Sequence, residues 1–278
     1  MNTILDGYKQ YLESQHKEPA TIRAYLHEAE GFLGWCSVRN AGLSELSQQT
    51  FAEYRDALAA RGAKPATVNK SVSTLSTFFK WAQANGLAGE NFAKRLRLPQ
   101  GKKEETPRWL TAAEEAALLA AVERETTEFQ RVRNTALLCA MLYGGVKVDE
   151  IPELPIDAIE GDTLHVYDRG ERIRSVPLPP FAAEKLRAWL RLRRASAKEA
   201  HASSDALFVT ERSGRMQTRA VQFVVETYSD RIGTPITSQM LRNTFCRRHA
   251  ESGATVERLK ALAGHKTLLT TWKYYREK

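Results

Sequence analysis

The sequence predicts a mainly α-helical protein with a small β-sheet, α+β in class and divided into two domains. Three observations carry that expectation. Apolar residues recur at three- and four-residue spacing up to Gly86, and such spacing returns after Arg108. Between them, residues 94–108 (KRLRLPQGKKEETPR) lose periodicity and gain Pro99, Gly101, Pro107 and dense charge. Two short β-prone runs follow, separated by a polar turn. At 278 residues and 42% hydrophobic content the chain is long enough for two ordinary domains with cores of their own.

The first domain, expected over residues 1–98, reads as four helices. Ile4, Leu5, Tyr8, Tyr11 and Leu12 share one helical face. Pro19, Ala20 and Thr21 interrupt the pattern, which restarts at Ile22 and runs through Tyr25, Leu26, Ala29, Phe32, Leu33 and Cys36. Leu46-Ser47 is an N-cap signal for a third helix carrying Phe51, Tyr54, Leu58 and Ala59 and stopping at Gly62. Pro65 and Thr67 open a fourth, with Val68, Val72, Leu75, Phe78, Phe79 and Ala82 inward and Gly86 as its stop. Short loops between four such helices predict a compact bundle. Its polar faces present Lys17, Thr21 and Arg23 around the second helix and Lys64, Thr67, Asn69 and Lys70 around the fourth, residue types suited to phosphates and base edges and equally to a solvated face.

A linker is expected over 99–107, with Arg95, Arg97, Lys102 and Lys103 as basic residues in or beside it, and a second domain over 108–278. Thr111 and Glu114 form a capping-box pattern for a helix reaching about Glu125. Arg131 to Tyr143 is apolar through its centre and predicts the buried core helix, ended by Gly144-Gly145. Lys147 then stands at the entrance of a short helix that Pro152 and Pro155 break. Thr163–Tyr167 and Arg174–Leu178 predict a hairpin around an arginine-rich turn, followed by a helix over Phe181–Ala197, a short strand over Asp205–Val209 and a helix over Arg219–Tyr228.

The net charge of +8 suits a polyanionic partner, though a basic solvated surface has the same composition. Cys36, Cys139 and Cys246 are odd in number and lack metal-ligand spacing, which predicts buried thiols in a reducing compartment. His16, His27, His165, His201 and His249 show no paired metal spacing either, and no metal or other cofactor is expected. With no signal-peptide layout and no apolar run near ~20 residues, a cytoplasmic protein without membrane contact is expected.

The stretch from Ile236 to Tyr275 carries the chemistry. A glycine turn followed by VKVDE, an arginine-rich hairpin ending in VPLP, the run MLRNTF, the triplet AGH and the terminal TTWKYY occur in one order, and Tyr274 stands nine places after His265. Singly, a Gly-His pair or a terminal aromatic cluster is commonplace; in this order the chain resembles the tyrosine recombinase, or phage integrase, family of the Xer-like kind. The resemblance covers nearly the whole chain and implies a helical, SAM-like core-binding domain before a catalytic domain.

It also implies double-stranded DNA as partner, self-association or a related recombinase on that DNA, and strand cleavage and rejoining through a 3′-phosphotyrosyl intermediate, without a cofactor. Tyr274 matches the nucleophile, Arg242 the second of two phosphate-binding arginines and His265 the later histidine. Three positions depart from the family pattern. Lys147 replaces the first arginine and loses its planar fork. Arg169, with Arg172 close by, replaces a general-acid lysine on the hairpin, and Gln239 replaces a histidine that moves protons. Two readings follow: a recombinase, of weakened activity where these substitutions tell, or a catalytically silent DNA-binding partner at a recombination site. Pairing of Arg242 with Glu150 rather than phosphate, and Tyr275 as nucleophile, remain alternatives at this stage. Only Tyr275 to Lys278 follow Tyr274, a departure from Xer-type members whose tail docks on a neighbouring protomer.

Overall fold

A computed structural model describes residues 2–94 and 107–275, which fall into two compact units, one within Met1–Glu105 and one within Thr106–Lys278. The expected linker over 99–107 lies, but for Pro107, outside the described residues, as do Arg95, Arg97, Lys102 and Lys103.

The first unit contains the four expected helices: α1 (Asn2–Ser14), α2 (Pro19–Val38), α3 (Gln48–Ala60) and α4 (Pro65–Ala84). Pro19 and Pro65 each open a helix, where the missing N–H has no intrahelical acceptor to lose. Ser47 caps α3 by accepting from the Thr50 amide at 3.1 Å. The core is aromatic. Phe32 of α2 meets Phe51 and Tyr54 of α3 and Phe79 of α4 edge-on, with centroids 5.6, 5.0 and 5.4 Å apart, and Tyr8 meets Phe78 at 5.1 Å. Ala59, expected inward, is exposed, because it lies off the stripe that Phe51, Tyr54 and Leu58 form.

The second unit begins with α5 (Ala112–Val122), whose capping box pairs Thr111 with the Glu114 amide and Glu114 with the Thr111 amide. It then has α6 (Glu128–Tyr143), an antiparallel sheet of β1 (Ile159–Glu160), β2 (Thr163–Asp168) and β3 (Glu171–Pro177) in that order, and α7 (Pro180–Arg194). Next come α8 (Glu199–Ala202), α9 (Thr218–Ile232), α10 (Ser238–Glu251), α11 (Val256–Ala263) and α12 (Leu268–Trp272). Every residue of α6 from Arg133 to Tyr143 is buried, as its apolar centre requires, with α7 and α10 against it.

Three details correct the sequence expectations. Asp205–Val209 forms no strand: its backbone joins residues 154–156 through a single bridge, Pro155 to Ala206, flanked by bonds of the Ile156 and Leu207 amides. Pro155 leaves no amide to extend that ladder. The hairpin turn is shorter than expected, only Arg169-Gly170, because β2 extends to Asp168 and β3 starts at Glu171. Arg172 is therefore a strand residue. Finally, α5 ends at Val122, three residues early. Among the described residues no helix is long and apolar enough to cross a membrane, and Cys36, Cys139 and Cys246 are buried free thiols.

Candidate active site

Thr237 caps α10 by accepting from the Met240 amide at 3.3 Å, and the helix then sets Gln239, Arg242, Asn243 and Cys246 on one face at i, i+3, i+4 and i+7. Arg242 is 3% exposed. Its Nη1 donates to the Gly145 carbonyl and its Nη2 to the Ala263 carbonyl, so one guanidinium ties α10 to the glycine turn and to the end of α11. Burial lowers its pKa, and nearby Cys246, Glu150 and Tyr274 oppose that effect.

The glycines around this point have specific work. Gly145 has φ +59°, and a Cβ there would collide with the Phe245 ring, so only glycine can aim this carbonyl at Arg242. Gly264 ends α11 in the left-handed region with Arg174 Nη1 3.2 Å from where a Cβ would sit. That contact accounts for the glycine of the AGH triplet.

Glu150 is the buried carboxylate of the site, but Arg242 is not its partner. Arg174, reaching in from β3, grips both Glu150 oxygens at 2.7 and 2.6 Å and also donates to the Gly145 carbonyl at 3.3 Å. The Lys147 amide donates to Glu150 at 2.8 Å, while the Lys147 ammonium stands 3.4 Å away. Burial pushes the Glu150 carboxyl up, yet the hydrogen bonds and charge of Arg174, with Lys147, hold it below its ordinary value.

Tyr274 comes from the other side, on the turn that closes α12. The phenol is 4% exposed and donates to Asn243 Oδ1 at 2.8 Å. Asn243 is itself fixed, because its Nδ2 donates to the Arg108 carbonyl at 2.8 Å and its Oδ1 also accepts from Gln239 Nε2 at 2.9 Å. His265 stacks on the Tyr274 ring, centroids 5.9 Å apart and planes within 10°, and its Nδ1 meets the buried Thr271 hydroxyl at 3.0 Å. Burial, then the charges of Arg242, Lys147 and Arg174, push the His265 pKa down to about 4, so the ring is neutral at neutral pH. Burial raises the Tyr274 phenol above its usual value and keeps it protonated at rest. Tyr275 points elsewhere, donating to the Ala254 carbonyl at 2.6 Å.

A cavity of ≈ 420 Å³ opens beside this cluster, lined by Lys147, Asp149, Gln222, Glu226, Gln239 and Arg242 among others. The structure thus brings Lys147, Gln239 and Arg242 to one cavity, and places Tyr274 and His265 behind Arg242 and Asn243. Arg169 and Arg172 do not line it. Arg169 is exposed on the hairpin turn with φ +52°, a conformation costing an L residue about 1 kcal/mol. Arg172 is exposed on β3. In the first unit Lys17, Arg23, Lys64, Thr67 and Lys70 are exposed, and Thr21 and Asn69 are half-buried.

Against known proteins, residues 108–278 match the model of the phage integrase family, and residues 5–86 match that of the phage integrase N-terminal SAM-like domain. The chain belongs to the phage integrase family. The tyrosine recombinase XerC of Mycobacterium sp. (strain KMS) is 30% identical over 283 aligned residues, covering 99% of this chain and 94% of that relative. The tyrosine recombinase XerA of Thermococcus kodakarensis is 27% identical, covering 98% and 90%. Among solved structures, a lambda integrase dimer bound to a COC′ core site has a TM-score of 0.76 at 20% identity, covering 100% of this chain and 96% of that one. The Tn1549 transposon integrase in complex with circular intermediate DNA has a TM-score of 0.78 at 15% identity, covering 99% and 95%. These structures share the two-part integrase fold.

Sequence reasoning missed four members of the cluster. Asn243 hides inside the MLRNTF run as an ordinary polar residue, and only its i+4 spacing from Gln239 hints at a shared face. Arg174 reads as one more basic hairpin residue, and Glu150 enters only as a conceivable mate for Arg242. Thr271 carries no signal at all.

Proposed function

We propose that the chain is a site-specific DNA recombinase in which Tyr274 attacks a DNA phosphodiester to form a 3′-phosphotyrosyl link, later reversed by a 5′-hydroxyl. Residues 1–98 serve as the core-binding domain, 99–107 as the linker and 108–278 as the catalytic domain. The observation that carries this reading is one cluster in which Lys147, Gln239 and Arg242 line a cavity while Tyr274, bonded to Asn243 and stacked on His265, lies directly behind them. Arg242 and Lys147 neutralise the phosphate, and a charged or donor-rich cradle of this kind is worth most as charge develops in the transition state. Gln239 donates to a phosphoryl oxygen. His265, neutral, orients the Tyr274 ring by stacking. Arg169 and Arg172 on the hairpin, and Lys17, Thr21, Arg23, Lys64, Thr67, Asn69 and Lys70 on the helical unit, take the DNA backbone. Relatives named as tyrosine recombinases, and neighbours solved as a dimer on DNA or with transposon DNA, support duplex DNA and a second copy as partners. Action on DNA supports a cytoplasmic location.

A second reading, a catalytically silent partner that occupies a recombination site, is favoured by one observation. Of the three family residues kept here, Arg242 and Tyr274 are also buried side chains that the fold itself uses, and His265 is half-buried against Tyr274. Nicked duplexes separate the two, since loss of the 5′-hydroxyl fragment traps the covalent intermediate. The recombinase reading expects an SDS-stable adduct with the natural chain and none with Tyr274→Phe, at similar and steeply salt-dependent DNA affinity. Binding with no adduct, joined by an adduct once Lys147→Arg, Arg169→Lys and Gln239→His are combined, establishes the silent reading instead.

A further inference from the structure

We propose that Lys147 is the proton donor to the leaving 5′-oxygen, a role that rests on the recombinase reading above. When Tyr274 displaces the strand, the departing oxygen would leave as an alkoxide about as basic as hydroxide. It needs a proton as the bond breaks. The groups around the cavity differ in whether they can give one.

Arg242 commits both Nη atoms to backbone carbonyls, and a guanidinium does not release its proton. Gln239 is an amide that points its nitrogen at Asn243. Asp149 and Glu226 are carboxylates, and Glu226 is paired with Arg219 at 2.8 Å. Arg169 is another guanidinium and lies on the hairpin turn, away from the described cavity wall. Lys147 is the one ammonium among the described lining residues. It is also loosely held. Its Nζ stands 3.4 Å from Glu150 Oε1, longer than an ordinary N–H···O bond, and that same oxygen already takes Arg174 at 2.7 Å. With its side chain 42% exposed, the ammonium has donors left for the cavity. Arg174 performs the static task of neutralising buried Glu150, and that frees Lys147 to exchange a proton. Lysine, unlike arginine, does such chemistry readily.

The step balances. The Tyr274 oxygen bonds to phosphorus and loses its proton to water. The P–O5′ bond breaks, its electron pair goes to O5′, and Lys147 Nζ–H protonates that oxygen to a 5′-hydroxyl. The neutral amine regains a proton from water, so the net change moves one hydrogen from Tyr274 to O5′.

The test compares nicked duplexes carrying either the natural 5′-oxygen or a bridging 5′-sulfur at the scissile position. A thiolate, whose conjugate acid has a pKa of ~8.5, leaves without help. The proposal expects Lys147→Arg, which keeps the charge, to slow cleavage of the oxygen duplex by ~10²–10⁴-fold, a typical acid–base effect, while sulfur-duplex cleavage stays within ~10-fold of the natural chain. Lys147→Ala slows both, since it loses the charge as well. Normal cleavage of the sulfur duplex by Lys147→Arg also shows that this variant is folded. The proposal is overturned if Lys147→Arg cleaves the oxygen duplex as well as the natural chain, or if Arg169→Ala rather than Lys147→Arg shows the selective sulfur rescue. A natural chain that cleaves neither duplex overturns the recombinase reading itself, and this inference with it.

Discussion

The two sides of the cavity hold their cations in opposite ways. On the floor and behind it, Arg242 and Arg174 are buried, with Nη donors directed at the Gly145 and Ala263 carbonyls and at Glu150. On the rim, Lys147 is half-buried, Gln239 exposed, and the hairpin carries Arg169 exposed on its turn. The departures at Lys147 and Gln239 fall on the rim and that at Arg169 on the exposed hairpin turn, whereas Arg242 and Tyr274, which match the family pattern, are buried and His265, which also matches it, is half-buried. The difference teaches that the two fully buried positions, Arg242 and Tyr274, are kept and the two exposed ones, Gln239 and Arg169, are changed, while half-buried His265 and Lys147 go either way. A floor residue cannot change without leaving buried polar groups unmatched, whereas a rim residue changes at little cost to the fold. The rim is therefore where this chain's chemistry is free to differ, and the floor alone does not certify activity.

That contrast can be broken or sharpened by substitution. The largest effect is expected on activity: Tyr274→Phe removes covalent cleavage altogether yet costs only the hydrogen bond to Asn243, about 1 kcal/mol in urea unfolding. Next, Glu150→Gln leaves the buried Arg174 guanidinium without its counter-charge, and a loss of about 3–5 kcal/mol is expected. Gly145→Ala forces a side chain into a positive-φ position against the Phe245 ring, and about 2–3 kcal/mol should be lost in the same measurement. Lys147→Ala, by contrast, should change stability by less than about 1 kcal/mol, because its ion pair is long and half exposed. Equal losses at Glu150 and Lys147 would erase the floor–rim distinction.

The smallest effect concerns pH. The folded His265 has its pKa pushed from 6.5 down to about 4, so between those values the unfolded chain binds a proton that the folded chain refuses. Its contribution is fully present above pH 6.5 and is lost as pH falls toward about 4, so stability should rise with pH across that window. His265→Gln should flatten the slope of the urea midpoint there. The adduct-forming rate should also show no inflection near 6.5 that His265→Gln removes, since the ring stays neutral on both sides of that value.

Much of the helix content was readable because it is local: Pro19 and Pro65 open helices, Ser47 and Thr111 cap them, and the apolar stripe of α6 declares its burial, whereas α10, α11 and α12 were not read as helices. Tyr274, Arg242, His265, Lys147 and Gln239, which the family resemblance singled out, lie in one cluster, whereas Arg169 and Arg172, singled out with them, do not line its cavity. What the sequence did not disclose is which partner each takes. Glu150 stood only as a conceivable mate for Arg242, and the approach of β3 to α11 gives it Arg174 instead. Asn243 became visible as the Tyr274 acceptor once α10 and the turn after α12 were brought together. The mistaken strand at 205–209 has the same origin, since β-prone residues form a strand only where a neighbour offers a continuous edge.

The most direct measurement is peptide mass spectrometry on the SDS-stable complex recovered from nicked duplexes. The account predicts a nucleotide linked through a 3′-phosphate to Tyr274, whose phenol lies beside Asn243 and Arg242, and none on Tyr275, whose hydroxyl is turned to Ala254. A nucleotide on Tyr275, or no linked tyrosine from DNA that the protein demonstrably binds, would contradict it.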